Sequence, residues 1–262
     1  MLRTAFVLTV FAVVTLVLMP VQWLAVALKR PLRRRIPVFY HRFVCRLLGV
    51  RVRANGAPIG DRPLLIVANH SSWLDISIIT SVAPVVFVAK SEIARWPFFG
   101  LLAKLQRTVF VERDRRHKTG EVNAQIAQRL AEGDPVLLFG EGTAGDGNRV
   151  LPFRTALIGA ARDAIAAAGN ERVWIQPLSI AYVGQQGIAL GRHLRPRAAW
   201  YGKMKLTEHI GNIVRSGAVD VSVTWGEPIP YDGAIDRKLL ARQLESAVRT
   251  TTIAALRGKA AA

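Results

Sequence analysis

The sequence predicts an α/β fold, a mixed sheet covered by helices, behind an N-terminal membrane-anchoring helix. Three observations lead there. From Thr4 to Leu28 no side chain is charged, and only Thr4, Thr9, Thr15 and Gln22 are polar. Lys29, Arg30, Arg33, Arg34 and Arg35 follow that stretch directly. Beyond it, short apolar runs alternate with helical patterns, as in a sheet with helices on its faces.

The apolar stretch, about 25 residues, is long enough to cross a ~30 Å hydrocarbon core as a helix. A cleaved signal peptide is the rival, with Arg3 as its basic start and Ala25-Val26-Ala27 as its cleavage site. The run exceeds a signal-peptide core, and the basic cluster after it resists translocation, so a retained anchor is favoured. Pro20 leaves a kinked, re-entrant hairpin open. Either form puts Lys29 to Arg35 on the cytoplasmic side, against anionic lipid headgroups. The expected location is the inner (cytoplasmic) membrane, with the main domain on the cytoplasmic side. Residues 1–35 are expected to be the anchor and basic flank, and residues 36–262 the catalytic domain.

Strands are expected at Leu64–Ala68, Val85–Ala89 and Val136–Phe139, wholly apolar runs that read as buried on both faces. Val122, Ile126 and Leu130 give Thr119–Glu132 one apolar helical stripe, with Gly133 as its stop. Thr155–Ala168 is Ala-rich and helical. Val173–Pro177 and Ile180–Val183 read as two further strands. Val219–Trp225 alternates apolar and polar residues, as a half-exposed strand does. Asp236–Leu256 is a terminal helix.

The 36 Lys+Arg outnumber the 18 Asp+Glu, a net charge of +18, and this calls for an anionic partner. The basic run beside the anchor favours membrane lipids. No zinc-finger, helix-turn-helix or RNA-recognition pattern occurs, so no nucleic acid partner is expected. The single cysteine, Cys45, excludes an intramolecular disulfide framework. His41, His117, His193 and His209 lack metal-ligand spacing, so neither metal nor cofactor is expected.

Asn69-His70-Ser71-Ser72-Trp73-Leu74-Asp75 follows the first buried strand, at the edge where open α/β sheets bind ligands. On one straight helix, five positions would turn His70 and Asp75 about 140° apart. They meet only if His70 precedes the helix and the chain turns at Ser71 and Ser72. The pair then reads as a general base with an orienting carboxylate. Ser72-x-x-Asp75 also reads as a capping box at a helix start, with no chemistry attached.

Three further blocks follow in order: Gln106 to Arg113; Phe139-Gly140-Glu141-Gly142-Thr143 with Pro152-Phe153-Arg154; and Gln176-Pro177-Leu178-Ser179-Ile180. Together with the His70 block they resemble the glycerolipid acyltransferase family typified by 1-acyl-sn-glycerol-3-phosphate acyltransferases. The resemblance implies His70 as base, Asp75 as its partner, and Arg113, Glu141, Gly142, Thr143 and Arg154 as acceptor-binding residues. An Arg fork suits phosphate, and Gly142 permits close backbone approach. It implies acyl transfer from acyl-carrier protein or acyl-CoA to the free hydroxyl of a lysolipid acceptor. The leading expectation is 1-acylglycerol 3-phosphate, giving phosphatidate. One departure counts against it. Many members carry a basic residue after Glu-Gly-Thr, where this chain has Ala144. Acylation of lyso-ornithine lipid is therefore the alternative. A non-catalytic, membrane-tethered lipid-binding protein is the rival from another class. The Trp96 to Leu105 region is the expected lining of an acyl-chain tunnel.

Overall fold

A computed structural model describes residues 2–60, 63–112, 119–155, 173–231 and 235–258. The strands are β1 (Val50–Asn55), β2 (Leu64–Ala68), β3 (Val86–Lys90), β4 (Val109–Val111), β5 (Val136–Phe139), β6 (Val173–Gln185), β7 (Ile188–Ala189), β8 (Val219–Trp225) and β9 (Ile229–Tyr231). The helices among the described residues are α1 (Leu2–Ala27), α2 (Leu32–Leu48), α3 (Leu74–Val82), α4 (Phe99–Leu105), α5 (Thr119–Ala131), α6 (Leu206–Ser216) and α7 (Arg237–Leu256). Most of the expected helix at 155–168 lies outside the described residues.

The strands form one mixed sheet in the order β1-β8-β6-β2-β5-β3-β4, with β7 and β9 also pairing with β6. From β6 to β4 every pairing is parallel, while β8 runs antiparallel to β6. All five residues of β2 are buried. Leu64, Ile66 and Ala68 pack with Leu48, Leu74 and Ile78 on one face. Leu65 and Val67 pack with Ile126, Leu130 and Leu244 on the other. That is why β2 is apolar throughout: alternate side chains enter two different cores.

The expected strands Val173–Pro177 and Ile180–Val183 are one continuous strand, β6. Pro177 suggests a break, yet it sits where the antiparallel partner changes. Residues up to Ile175 pair with β9, and pairing with β8 begins at Leu178. A missing N–H costs no antiparallel ladder bond there. In β8 the alternation fades toward the end, where Thr224 and Trp225 are both buried.

Helix α1 is long and apolar enough to cross a membrane. It continues through Pro20 without a break. It turns at Leu28–Pro31 and pairs with α2, so the expected boundary at residue 35 falls inside α2. Its buried residues are Val7, Thr15, Gln22 and Ala25, one stripe along the helix. Two of the polar outliers in the apolar stretch are thus docking residues. Thr15 Oγ1 lies 2.8 Å from Tyr40 Oη, and Gln22 Nε2 donates to the Leu105 carbonyl at 2.9 Å and the Arg33 carbonyl at 3.1 Å.

The basic flank divides. Lys29, Arg30 and Arg35 are exposed. Arg33 and Arg34 instead turn to Glu132 at 3.2 Å and Asp134 at 2.6 Å, beyond the end of α5. Buried Arg107 pairs with the same two carboxylates. Two of the five cations are thus engaged within the fold. Removing Asp134 takes the carboxylate from Arg34 and leaves buried Arg107 with Glu132 alone, and Arg107 and Asp134 are 7% and 3% exposed. Asp134→Ala should therefore destabilise the fold by about 3–5 kcal/mol. Thermal unfolding in detergent micelles measures it, and a loss below about 1 kcal/mol, the size of a surface pair, would contradict the role.

Candidate active site

Strand β2 ends at Ala68, and the Asn69 amide extends its pairing. Asn69 Nδ2 donates to the Ile180 carbonyl and the Ile180 N–H donates to Asn69 Oδ1, each at 2.8 Å. His70 is thereby fixed one residue past a clamped strand end. The chain then turns, and α3 begins at Leu74 with Asp75 in its first turn.

Asp75 is completely buried. Its Oδ2 lies 2.9 Å from His70 Nδ1 and accepts the N–H groups of Ser71 and Ser72 at 2.7 and 3.0 Å. Its Oδ1 accepts the Tyr182 hydroxyl at 2.6 Å. The capping box is realised only in part: no side chain caps the helix start, and Asp75 itself reaches back to the turn. The same carboxylate ends the helix and holds the imidazole. With Nδ1–H directed at Asp75, His70 Nε2 is left free to accept a proton. The imidazole stacks on Phe139, ring centres 3.9 Å apart and planes 16° apart.

Burial and the Asp75 charge push the Tyr182 phenol well up, so it remains a donor. The four motif blocks give Tyr182 no role, although it stands two residues beyond the last of them. Arg195, also buried, donates to the Tyr182 carbonyl at 3.1 Å and to Asn148 Oδ1 at 2.7 Å. It joins the Tyr182 strand to the loop after Ala144. No local pattern in the sequence announces that link.

His70 borders an apolar cavity of about 510 Å³. Its walls include Phe11, Thr15, Leu18 and Met19 of α1, Tyr40 and His41 of α2, and Trp96, Phe99 and Leu102. The expected tunnel region does line it, and so does the N-terminal helix. Gly142, Thr143, Ala144, Trp200 and Tyr201 also line it. Gly142 has φ +68°, a backbone that favours glycine. Gly140 is required for another reason: a Cβ there would meet the Phe153 ring at 2.7 Å.

Glu141 and Arg154 are not among the described lining residues. Glu141 is 2% exposed and turns behind the wall. Burial pushes its carboxyl up to about 8, against the opposing pull of the His70 and Leu151 N–H groups. Arg154 is exposed and donates from Nε to the Glu141 carbonyl at 3.2 Å. Arg113 lies outside the described residues. Among those residues no group of three His, Cys, Asp or Glu is placed to hold a metal ion.

An imidazole held by a buried carboxylate at the wall of an apolar cavity is an arrangement suited to an enzyme that works on long-chain lipids. The sequence likeness is narrower than that class. The chain belongs to the Acyltransferase family, whose profile matches residues 49–181. It is 48% identical over 258 residues to the lyso-ornithine lipid O-acyltransferase of Brucella abortus (strain 2308), covering 98% of this chain and 97% of that one. It is 38% identical over 111 residues to the 1-acyl-sn-glycerol-3-phosphate acyltransferase of Neisseria gonorrhoeae, covering 42% of this chain and 44% of that one. Its fold resembles the crystal structure of the LPA acyltransferase PlsC from Thermotoga maritima, with TM-score 0.67, 20% identity, and 100% and 99% of the two chains covered. The chain is an O-acyltransferase of lysolipids, not a tethered scaffold.

Two outcomes are expected. His70→Ala should fold and lose acyl transfer, while Asp75→Asn, which misdirects the tautomer, should lower kcat by about 10²–10⁴-fold. Radiolabelled acyl transfer measures both, and full activity in folded His70→Ala would remove His70 from catalysis. Glu141, with its folded pKa raised above the unfolded value, adds stability at low pH that is lost as pH rises toward 8. Glu141→Gln should therefore gain on the parent protein between about pH 4.5 and 8, and level off above. Melting temperatures of both proteins across that range test this, and a pH-independent difference would refute it.

Proposed function

We propose that this enzyme transfers a fatty acyl group from an acyl-carrier-protein or CoA thioester to the free hydroxyl of lyso-ornithine lipid, giving ornithine lipid. His70 Nε2 takes the hydroxyl proton, and Asp75 stabilises the imidazolium that forms. The alkoxide attacks the thioester carbonyl, and backbone amides hold the tetrahedral oxyanion. Its collapse breaks the carbon–sulfur bond, and the departing thiolate takes the proton back from His70. On the acceptor side we assign Gly142 and Thr143 at the wall, Glu141 acting from behind it with Arg154 on its carbonyl, and Arg113 as a further acceptor cation.

One observation carries the choice of acceptor. Ala144 lines the cavity beside Gly142 and Thr143, where the resemblance to glycerolipid acyltransferases would place a cation suited to phosphate. The nearly full-length likeness to the Brucella enzyme supports the same acceptor. Acylation of 1-acylglycerol 3-phosphate to phosphatidate is the second reading, favoured by the four ordered motif blocks and the Neisseria likeness. Helix α1 is assigned as a retained anchor, because its inner face docks through Thr15 and Gln22 while Leu16, Val17 and Trp23 stay exposed. The exposed cations Lys29, Arg30 and Arg35 assign the enzyme to the cytoplasmic face of the inner membrane, against anionic lipid.

The acceptor is tested by offering lyso-ornithine lipid and lysophosphatidate separately to the purified enzyme with acyl-carrier thioesters. Turnover of the first is expected. Turnover of lysophosphatidate alone would overturn the assignment and leave the second reading.

A further inference from the structure

Helix α7 presents two different stripes. Leu240, Leu244 and Val248 are buried in the core that also holds Leu65 and Val67 of β2. Leu239, Arg242, Ser246, Arg249 and Ile253 recur at steps of three and four residues, and all five are exposed. This outer stripe has an apolar side chain at each end and two arginines between them. Along the whole helix four cations stand against one carboxylate, Glu245, so the face is basic. Glu245 is itself engaged, its Oε2 accepting the Phe153 N–H at 2.9 Å and its Oε1 pairing with Arg249.

The second half of α7 borders a groove of about 430 Å³, whose other wall is the chain from Asn148 to Pro152. Arg249 reaches across to the Val150 carbonyl at 3.5 Å. Exposed Arg149 stands on the far wall, and exposed Arg192 lies beside it, its carbonyl accepting the Asn148 side-chain N–H at 3.1 Å. That wall continues from Ala144 and Gly145. Ala144 lines the cavity beside His70, and the Gly145 N–H donates to the His70 carbonyl at 2.9 Å. Groove and cavity therefore share one loop. The sheet separates this surface from the anchor: Val7 of α1 shares a core with Leu64, Ile66 and Ala68, on the face of β2 opposite to Leu65 and Val67. A bilayer engaged through α1 lies across the sheet from the outer stripe of α7, which favours a soluble partner there over lipid.

We infer that the outer stripe of α7 and the groove beside it form the docking surface for an acidic carrier protein that delivers the acyl thioester. This rests on the carrier-protein donor proposed above. An acidic helix laid along the stripe meets Arg242 and Arg249 with its carboxylates, and Leu239 and Ile253 with its apolar side chains. Arg149 and Arg192 extend the same positive surface to the loop shared with the cavity. Charge complementarity of this kind speeds encounter and fixes register. The shared loop gives the thioester arm a path over the carboxyl edge of the sheet to His70.

The test uses the purified full-length enzyme in detergent micelles, with fluorescently labelled acyl-carrier protein for binding and its acyl thioester for kinetics. Combining Arg149→Glu with Arg242→Glu reverses two exposed charges. The double variant should weaken carrier binding and raise KM for the carrier thioester about tenfold. Its kcat at saturating carrier thioester and its melting temperature should match the parent's. Arg149→Gln with Arg242→Gln, which removes the charges without reversing them, should fall between. Carrier affinity unmoved by the reversal overturns the inference. So does a loss of kcat at saturation with affinity unchanged, which marks a structural role. Release from phosphatidylglycerol vesicles with carrier affinity intact assigns the stripe to lipid and also overturns it. If the parent enzyme uses a CoA thioester and not the carrier thioester, the donor reading has failed and takes the surface with it. Turnover of the carrier thioester with insensitive variants removes the surface alone.

Discussion

The buried carboxylate of Asp75 is the contact on which the site depends. A bare carboxylate with no exposure would be costly. Four donors offset that cost: the Ser71 and Ser72 N–H groups, His70 Nδ1 and the Tyr182 hydroxyl. Each donor fixes a different part of the molecule. The two amides shape the turn between β2 and α3. The imidazole is held with one nitrogen turned away from the carboxylate. The phenol ties α3 to the long strand β6. The first turn of a helix adds its positive end to the same site. The pair is therefore held in place by the fold itself, which is what the proposed base needs if proton transfer is not to wait for reorganisation.

Much of this was legible in the sequence, for local reasons. All five residues of β2 are apolar because alternate side chains enter separate cores. The five-residue spacing from His70 to Asp75 requires a turn, and the turn is there. What escaped reading depends on distant partners. Tyr182 reaches Asp75 across 107 positions, and no periodicity marks such a contact. Arg33 and Arg34 look like headgroup ligands until the chain returns Glu132 and Asp134 to them, 99 and 100 positions later. Pro177 hides the continuity of β6, because its tolerance depends on which strand lies opposite. Glu141 is conspicuous in sequence as a charge, but burial makes it behave as a neutral acid near pH 7.

The N-terminal helices do two things with one apolar stretch. The outer face of α1 leaves Leu16, Val17 and Trp23 exposed, while its inner face supplies Phe11, Leu18 and Met19 to the cavity. The hydrocarbon character that suits a bilayer also suits an acyl chain, so the same residue types serve both sides. The wall is interrupted by His41, Ser77 and Gln106. His41 Nδ1 lies 3.0 Å from Ser77 Oγ and its Nε2 lies 3.1 Å from Gln106 Oε1. Burial pushes His41 down to about 4, so it stays neutral at physiological pH. A satisfied, uncharged group of this kind adds polarity to the wall without a buried charge, and it ties α2 to α3.

Catalysis and recognition are separable in this arrangement. As the proposed general base, the His70–Asp75 pair would answer to any hydroxyl brought within reach, because general-base chemistry depends on the proton and not on the headgroup beyond it. Discrimination must then come from groups that meet the headgroup. Ala144 leaves the stretch beside Gly142 and Thr143 without a cation. On the proposed reading that absence disfavours a phosphate and does not disturb the imidazole. The acceptor can then change through the loop at Ala144 while the buried carboxylate and its donors stay as they are.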